Sequence, residues 1–245
     1  VPDAQALIVR CTGGGEIEEF SLEGVNFAKA SLPNAPAPGG QGRRNLRSQA
    51  VTDIGYQNGR LFIAGLSNEE FASNLRSIAF PFNGVDAGTG VEIYHGAHGK
   101  FETRSPVRTF TFYEIASQPH ILAAYTCTPL VKFPVKSLSP GEKIRGTTIA
   151  ELGNRNRPLD MVAYQKGDEN FILLSNSARG VMKISTRDLD RKDGIEERIS
   201  DKAGQSYETI EDLEGVVQLD RLDSKRAIVL VANDQGSDLK TIDLP

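Results

Sequence analysis

Short runs of strand-forming residues recur along the chain: Leu7-Ile8-Val9, Leu61-Phe62-Ile63, Ile121-Leu122-Ala123, Phe171-Ile172-Leu173-Leu174 and Ala227-Ile228-Val229-Leu230-Val231. Each starts 50 to 60 positions after the last. A period of this size constrains the fold more than any other feature. A repeated supersecondary unit cannot bury its apolar face alone, so its copies must stack. Each run leads into a small polar cluster (11–15, 67–68, 126–128, 175–177 and 233–236) and then into a second β-like run. In four of the five units a further strand-like segment lies upstream, at 50–56, 108–115, 159–164 and 215–222. Tight turns at 57–59, 117–119, 166–168 and 223–225 join it to the apolar run. Asn-Gly and Gly-Asp pairs suit such hairpins because Gly and Asn tolerate positive φ. A looser fourth strand is expected at 25–30, 90–95, 146–152 and 195–200. Helical signals are confined to 68–75 and to 201–214; the latter lacks an apolar stripe and reads as a charged loop.

Four-stranded antiparallel units at this spacing predict an all-β fold of the β-propeller kind, as one domain over 1–245. Unrelated hairpins in a sandwich are the competing architecture. About five blades or partial blades are visible. The first lacks an inner strand and the last an outer one, so the expectation is part of a larger propeller. A missing segment or another chain would complete it, and a five-bladed ring with an irregular seam is the alternative. The chain opens on Val1-Pro2-Asp3, as a processed product, a fragment or an engineered chain would.

Several functional classes drop out on composition. Apolar residues make up 39% and charged residues 24%, as in folded globular proteins. Lys and Arg number 28 against 32 Asp and Glu, so a non-specific nucleic-acid binder is not expected. No apolar run reaches the roughly 18 residues of a membrane-spanning helix. The two cysteines, Cys11 and Cys127, make no disulfide framework, C-x-x-C or haem attachment motif.

The repeat cores Gly59-Arg60-Leu61-Phe62-Ile63-Ala64 and Phe171-Ile172-Leu173-Leu174-Ser175-Asn176 resemble those of the YVTN-type and quinoprotein-amine-dehydrogenase-like propellers. The stretch 146–160 is similar to one in uncharacterised exported bacterial propellers. The resemblance implies the fold and a periplasmic or extracellular location. It carries over no catalytic residues and no cofactor attachment.

In such an architecture the loops before the first strand and after the second strand of each unit lie on one face. Those loops carry Arg43, Arg44 and Arg47, then Arg104 and Arg108, then Arg155 and Arg157, with Arg179 beside them. Guanidinium groups are planar donor forks suited to carboxylate and phosphate. The expectation is a non-catalytic module that binds a partner protein or an anionic ligand there; cross-seam ion pairs are the structural alternative. His95 and His98 flank a short loop on the same face and are candidate ligands for a transition metal, with Glu102 as a possible third. They support the alternative function, a metal- or quinone-dependent oxidoreductase or a lactone hydrolase at the channel mouth. Cys127 and Cys11 read as small buried hydrophobes, and the acidic stretch 188–194 as a turn rather than a calcium loop.

Overall fold

The computed structural model describes residues 7–39, 45–191 and 193–245. The chain divides into two compact units, Val1–Ala30 and Ser31–Pro245. The first unit holds an antiparallel pair, β1 (Val9–Cys11) and β2 (Ile17–Glu19), in register from Val9 opposite Glu19 to Cys11 opposite Ile17. The strand expected at 25–30 does not form.

The second unit is all-β. Its described residues contain no α-helix, only 3-10 turns at Leu46–Gln49 and Val135–Ser137. One sheet comprises β3 (Asp53–Gln57), β4 (Arg60–Leu66), β5 (Ser73–Ala79) and β6 (Thr89–His95), with the short β7 (Lys100–Glu102) paired to β6. The next is built from β8 (Val107–Ile115), β9 (Gln118–Tyr125) and β10 (Cys127–Pro134). The connection after β10 contains β11 (Lys143–Arg145), which pairs with β6 of the previous sheet, before β12 (Thr147–Asn156) completes its own. A third sheet has β13 (Pro158–Lys166), β14 (Glu169–Asn176) and β15 (Gly180–Ser185). Its connection contains β16 (Lys202–Gly204), which reaches back to β12, and β17 (Tyr207–Ile210) then pairs with β15. Three strands, β18 (Val216–Arg221), β19 (Arg226–Asn233) and β20 (Gly236–Asp243), form the last sheet.

Four of the five apolar runs that define the repeat are the second strands of these sheets, and their burial explains why they read as continuous; the first, Leu7-Ile8-Val9, is exposed and only Val9 enters a strand, β1. Leu122 and Ala124 pack toward the third sheet, whereas Ile121, Ala123 and Tyr125 pack toward the first. Likewise Ile172 and Leu174 face the second sheet while Leu173 faces the last. A strand buried on both faces has no polar side to alternate with. In β19, which lies in the last sheet, only Ala227 and Val229 are buried.

The first strands lie side by side: β8 packs against β3 and β13, and β13 against β18. Together with side chains of β19 and β20 they wall a cavity of about 490 Å³.

The fourth strand of the third sheet corrects the sequence reading. No strand forms over 195–200, where Ile195 and Ile199 each donate one backbone hydrogen bond, to Thr148 O and Gly96 O. β16 and β17 instead fall inside the stretch read as a charged loop. Tyr207 packs against one core cluster and Ile210 against another, so two well-placed side chains suffice where no periodic stripe exists.

Candidate functional site

β6 ends at His95, and a tight turn carries the chain into β7. The N–H groups of His98 and Gly99 both donate to His95 O, with Gly99 at φ +65°. In the β6–β7 ladder Ile93 lies opposite Glu102, so Glu102 shares a face with Ile93 and His95. Its carboxylate accepts from three side chains. His95 Nδ1 lies 3.1 Å and Ser105 Oγ 2.6 Å from Oε2, and His98 Nδ1 lies 2.7 Å from Oε1. Burial alone would raise the Glu102 pKa, but the hydrogen bonds from His95, Ser105 and His98 outweigh it and hold the group well below the usual carboxylate range. The two imidazole rings lie with centroids 3.8 Å apart, tilted 36° to each other.

Cys127 joins them from the next sheet. Ligand-competent atoms of His95, His98 and Cys127 all lie within 4.8 Å of one another, the one such group among the described residues. Cys127 opens β10 at φ +85°, a left-handed conformation unusual for a residue with a Cβ. Here β10 and β12 slip register, between Cys127 opposite Asn156 and Pro129 opposite Glu151. The Glu151 side chain is buried and accepts the Gly96 N–H at 2.6 Å, which ties the histidine turn to β12.

A second feature abuts the first. Arg108, Arg155 and Arg157 line one cavity of about 1010 Å³, together with residues including Thr126, Cys127 and Ser177. Bulges place them. The β8–β9 register skips Arg108, between Val107 opposite Tyr125 and Thr109 opposite Ala124, and its Nε donates to Thr126 Oγ1 at 2.7 Å. Arg155, at φ +60°, and Arg157 flank the buried Asn156, whose Oδ1 accepts from Asn176 Nδ2 at 3.1 Å. The lining draws on the segment before β3, the β9–β10 turn, the β12–β13 junction and the β14–β15 turn. These are the loop classes expected to share a face.

The remaining arginines sit elsewhere. Arg47 donates to Pro36 O at 3.2 Å. Arg104 is exposed and near enough to Glu70 to help hold that carboxyl down, behind the larger effect of Lys143. Arg179 lines a separate cavity and donates to Asn154 O at 3.0 Å, packed across Gly153. Arg43 and Arg44 lie outside the described residues, as does Lys192 of the acidic stretch 188–194. Residues 188–191 form a turn closed by Arg191 N–H donating to Asp188 O. His120 is bonded to Gln118 O, and Cys11 is exposed in the β1–β2 hairpin.

Sequence reasoning missed two things. One is Cys127 as a companion of the histidines; its place in the loop after the second strand was the available signal. The other is the pair of acids in the cavity between first strands. Asp53 accepts the Phe110 N–H at 2.7 Å, and Asp160 accepts the Leu219 N–H at 2.9 Å. Burial pushes Asp160 up to about 6 against those hydrogen bonds, and the charges of Asp53 and Asp220 add to the rise.

No protein-family model matches this chain, and no curated protein matches it.

Proposed function

We propose that the protein is a non-catalytic binding module of the β-propeller kind, and that its ligand is an anion bearing carboxylate or phosphate groups held by Arg108, Arg155 and Arg157. One observation carries this reading: three arginines line a single cavity to which no Asp or Glu among the described residues contributes. The whole chain is acidic, with a formal net charge of −4. Gathering arginines in a concavity whose described lining holds no carboxylate focuses positive potential, which an anion relieves. Among the described residues neither Arg155 nor Arg157 forms an ion pair, so their donor forks are available to a ligand. Thr126 and Ser177 add neutral hydroxyls to the wall. The propeller reading is supported by four antiparallel meanders whose first strands lie together around one cavity. The periplasmic or extracellular location implied by the resemblance belongs to the same proposal.

Calorimetric titration with citrate and with inorganic phosphate at low salt tests it. Wild type is expected to bind at least one of the two probes with affinity that falls as salt rises. Charge-assisted hydrogen bonds contribute about 1.5–3 kcal/mol each, so Arg157→Ala is expected to weaken binding roughly tenfold to a hundredfold. Arg104→Ala, outside the cavity, leaves it unchanged. Equal affinity in wild type and the Arg157 variant, or no uptake of either probe, overturns the reading.

A further inference from the structure

We propose that His95, His98 and Cys127 form a three-ligand site for a divalent cation of zinc's class, with a fourth coordination position open. The site stands independently of the anion reading, since it uses none of the arginines.

Glu102 is a carboxylate that takes both Nδ1 atoms, at 3.1 Å from His95 and 2.7 Å from His98. An ionised carboxylate only accepts, so each ring carries its proton on Nδ1. In the neutral ring the Nε2 is then the lone pair, the form in which imidazole ligates metal. His95 Nε2 is buried and has no hydrogen-bond partner among the described residues, and the His95 side chain is only 2% exposed. A buried ring nitrogen left without a partner is costly and calls for an explanation. A cation supplies one here, because His98 and Cys127 each bring a ligand atom within 4.8 Å of one on His95.

The donor set selects the metal. Two imidazoles and a thiolate suit zinc and other borderline-soft ions and discriminate against magnesium and calcium, which prefer oxygen. Ligand atoms around tetrahedral zinc sit roughly 3.3–3.6 Å apart. Atoms already within 4.8 Å reach that spacing by side-chain rotation. Glu102 then occupies the position of the carboxylate that orients ligating histidines and raises their basicity, and Ser105 buttresses it. Access exists on two sides: the His98 side chain is 48% exposed, and Cys127 lines the arginine cavity.

The test uses the full chain, purified without an affinity tag, stripped with chelator under reducing conditions and titrated with Co²⁺. The expected result is one equivalent bound, with a thiolate-to-cobalt charge-transfer band in the near ultraviolet and visible d–d bands, all displaced by Zn²⁺. Cys127→Ser removes the charge-transfer band. His98→Ala, at a half-exposed position that the fold tolerates, abolishes tight binding even if the cysteine variant misfolds. Glu102→Gln, which alters a positioning residue, weakens binding roughly tenfold to a hundredfold. His120→Ala leaves the titration unchanged. Zinc also protects Cys127 from alkylation, while the exposed Cys11 continues to react and serves as the internal reference. Folded protein without cobalt bands overturns the proposal. So do bands that survive Cys127→Ser, or a Cys127 that alkylates rapidly whether or not zinc is present.

Discussion

Phe133→Ala is expected to remove about 3–5 kcal/mol of stability, the usual cost of truncating a fully buried aromatic side chain. The measurement is the urea midpoint at unchanged slope. Phe133 lies in β10 with no exposed surface and packs in the core between the first and second sheets. Its ring fills space left by a missing side chain: a Cβ on Gly146 would stand 2.4 Å from Phe133 Cε1 and 2.5 Å from Val131 Cγ1. Gly146→Ala is therefore also destabilising, by about 1–3 kcal/mol as an overpacking substitution. The two changes relieve each other, so the double variant is expected to be more stable than the sum of the single effects implies. A loss below about 1 kcal/mol in Phe133→Ala, or strict additivity in the double variant, would show that the ring does not close on Gly146. The result bears on the candidate site, because β10 is also the strand that presents Cys127. A loosened β10 is expected to weaken cobalt binding as well.

The strands that define the repeat were legible because burial on both faces erases polar alternation, and Ile121-Leu122-Ala123 shows this directly. The turns were legible because their backbones need particular residues: Asn58 and Gly59 sit at φ +51° and +73°, as a hairpin of that type requires. The fourth strand of the third sheet was not. Tyr207–Ile210 offers two apolar side chains serving two different cores, and β16 is held by ladder hydrogen bonds to β12 that leave no trace in side-chain pattern. The candidate site divides the same way. His95 and His98 announced themselves by residue type and spacing. Cys127 did not, because its meeting with them depends on which sheets are neighbours. Among the arginines, Arg108, Arg155 and Arg157 converge through a bulge, a register slip and a left-handed residue. None of these follows from the regular period-two geometry of a strand. Arg47 and Arg179 have the same chemistry but spend donors on the carbonyls of Pro36 and Asn154.

Asp160 is expected to make the protein less stable as pH rises from about 4 to 7, the opposite of ordinary acid denaturation. Its carboxyl sits among the first strands, where burial and the charges of Asp53 and Asp220 raise its pKa from 3.8 to about 6. Between those values the folded chain holds a proton that the unfolded chain has released. Stability therefore falls with pH across that interval and levels off above it. Two pKa units correspond to at most about 3 kcal/mol, and partial solvation reduces this. Asp53 is shifted in the same direction, chiefly by burial, so its contribution has the same sign. Asp160→Asn imitates the neutral charge of the protonated form: its amide oxygen accepts from one of the Leu219 and Met161 N–H groups, which bond different carboxylate oxygens, and it carries no charge toward Asp53. At pH 4 the two proteins are expected to unfold at closely similar urea concentrations. At pH 7.5 the asparagine variant is expected to be the more stable by about 1–3 kcal/mol. Comparing the two proteins at each pH cancels the groups that do not couple to Asp160, including Glu102, whose depressed pKa acts with the opposite sign. A difference that does not change with pH would mean that Asp160 is ionised in the folded state throughout, and that the cavity between the first strands is wetter than its geometry implies.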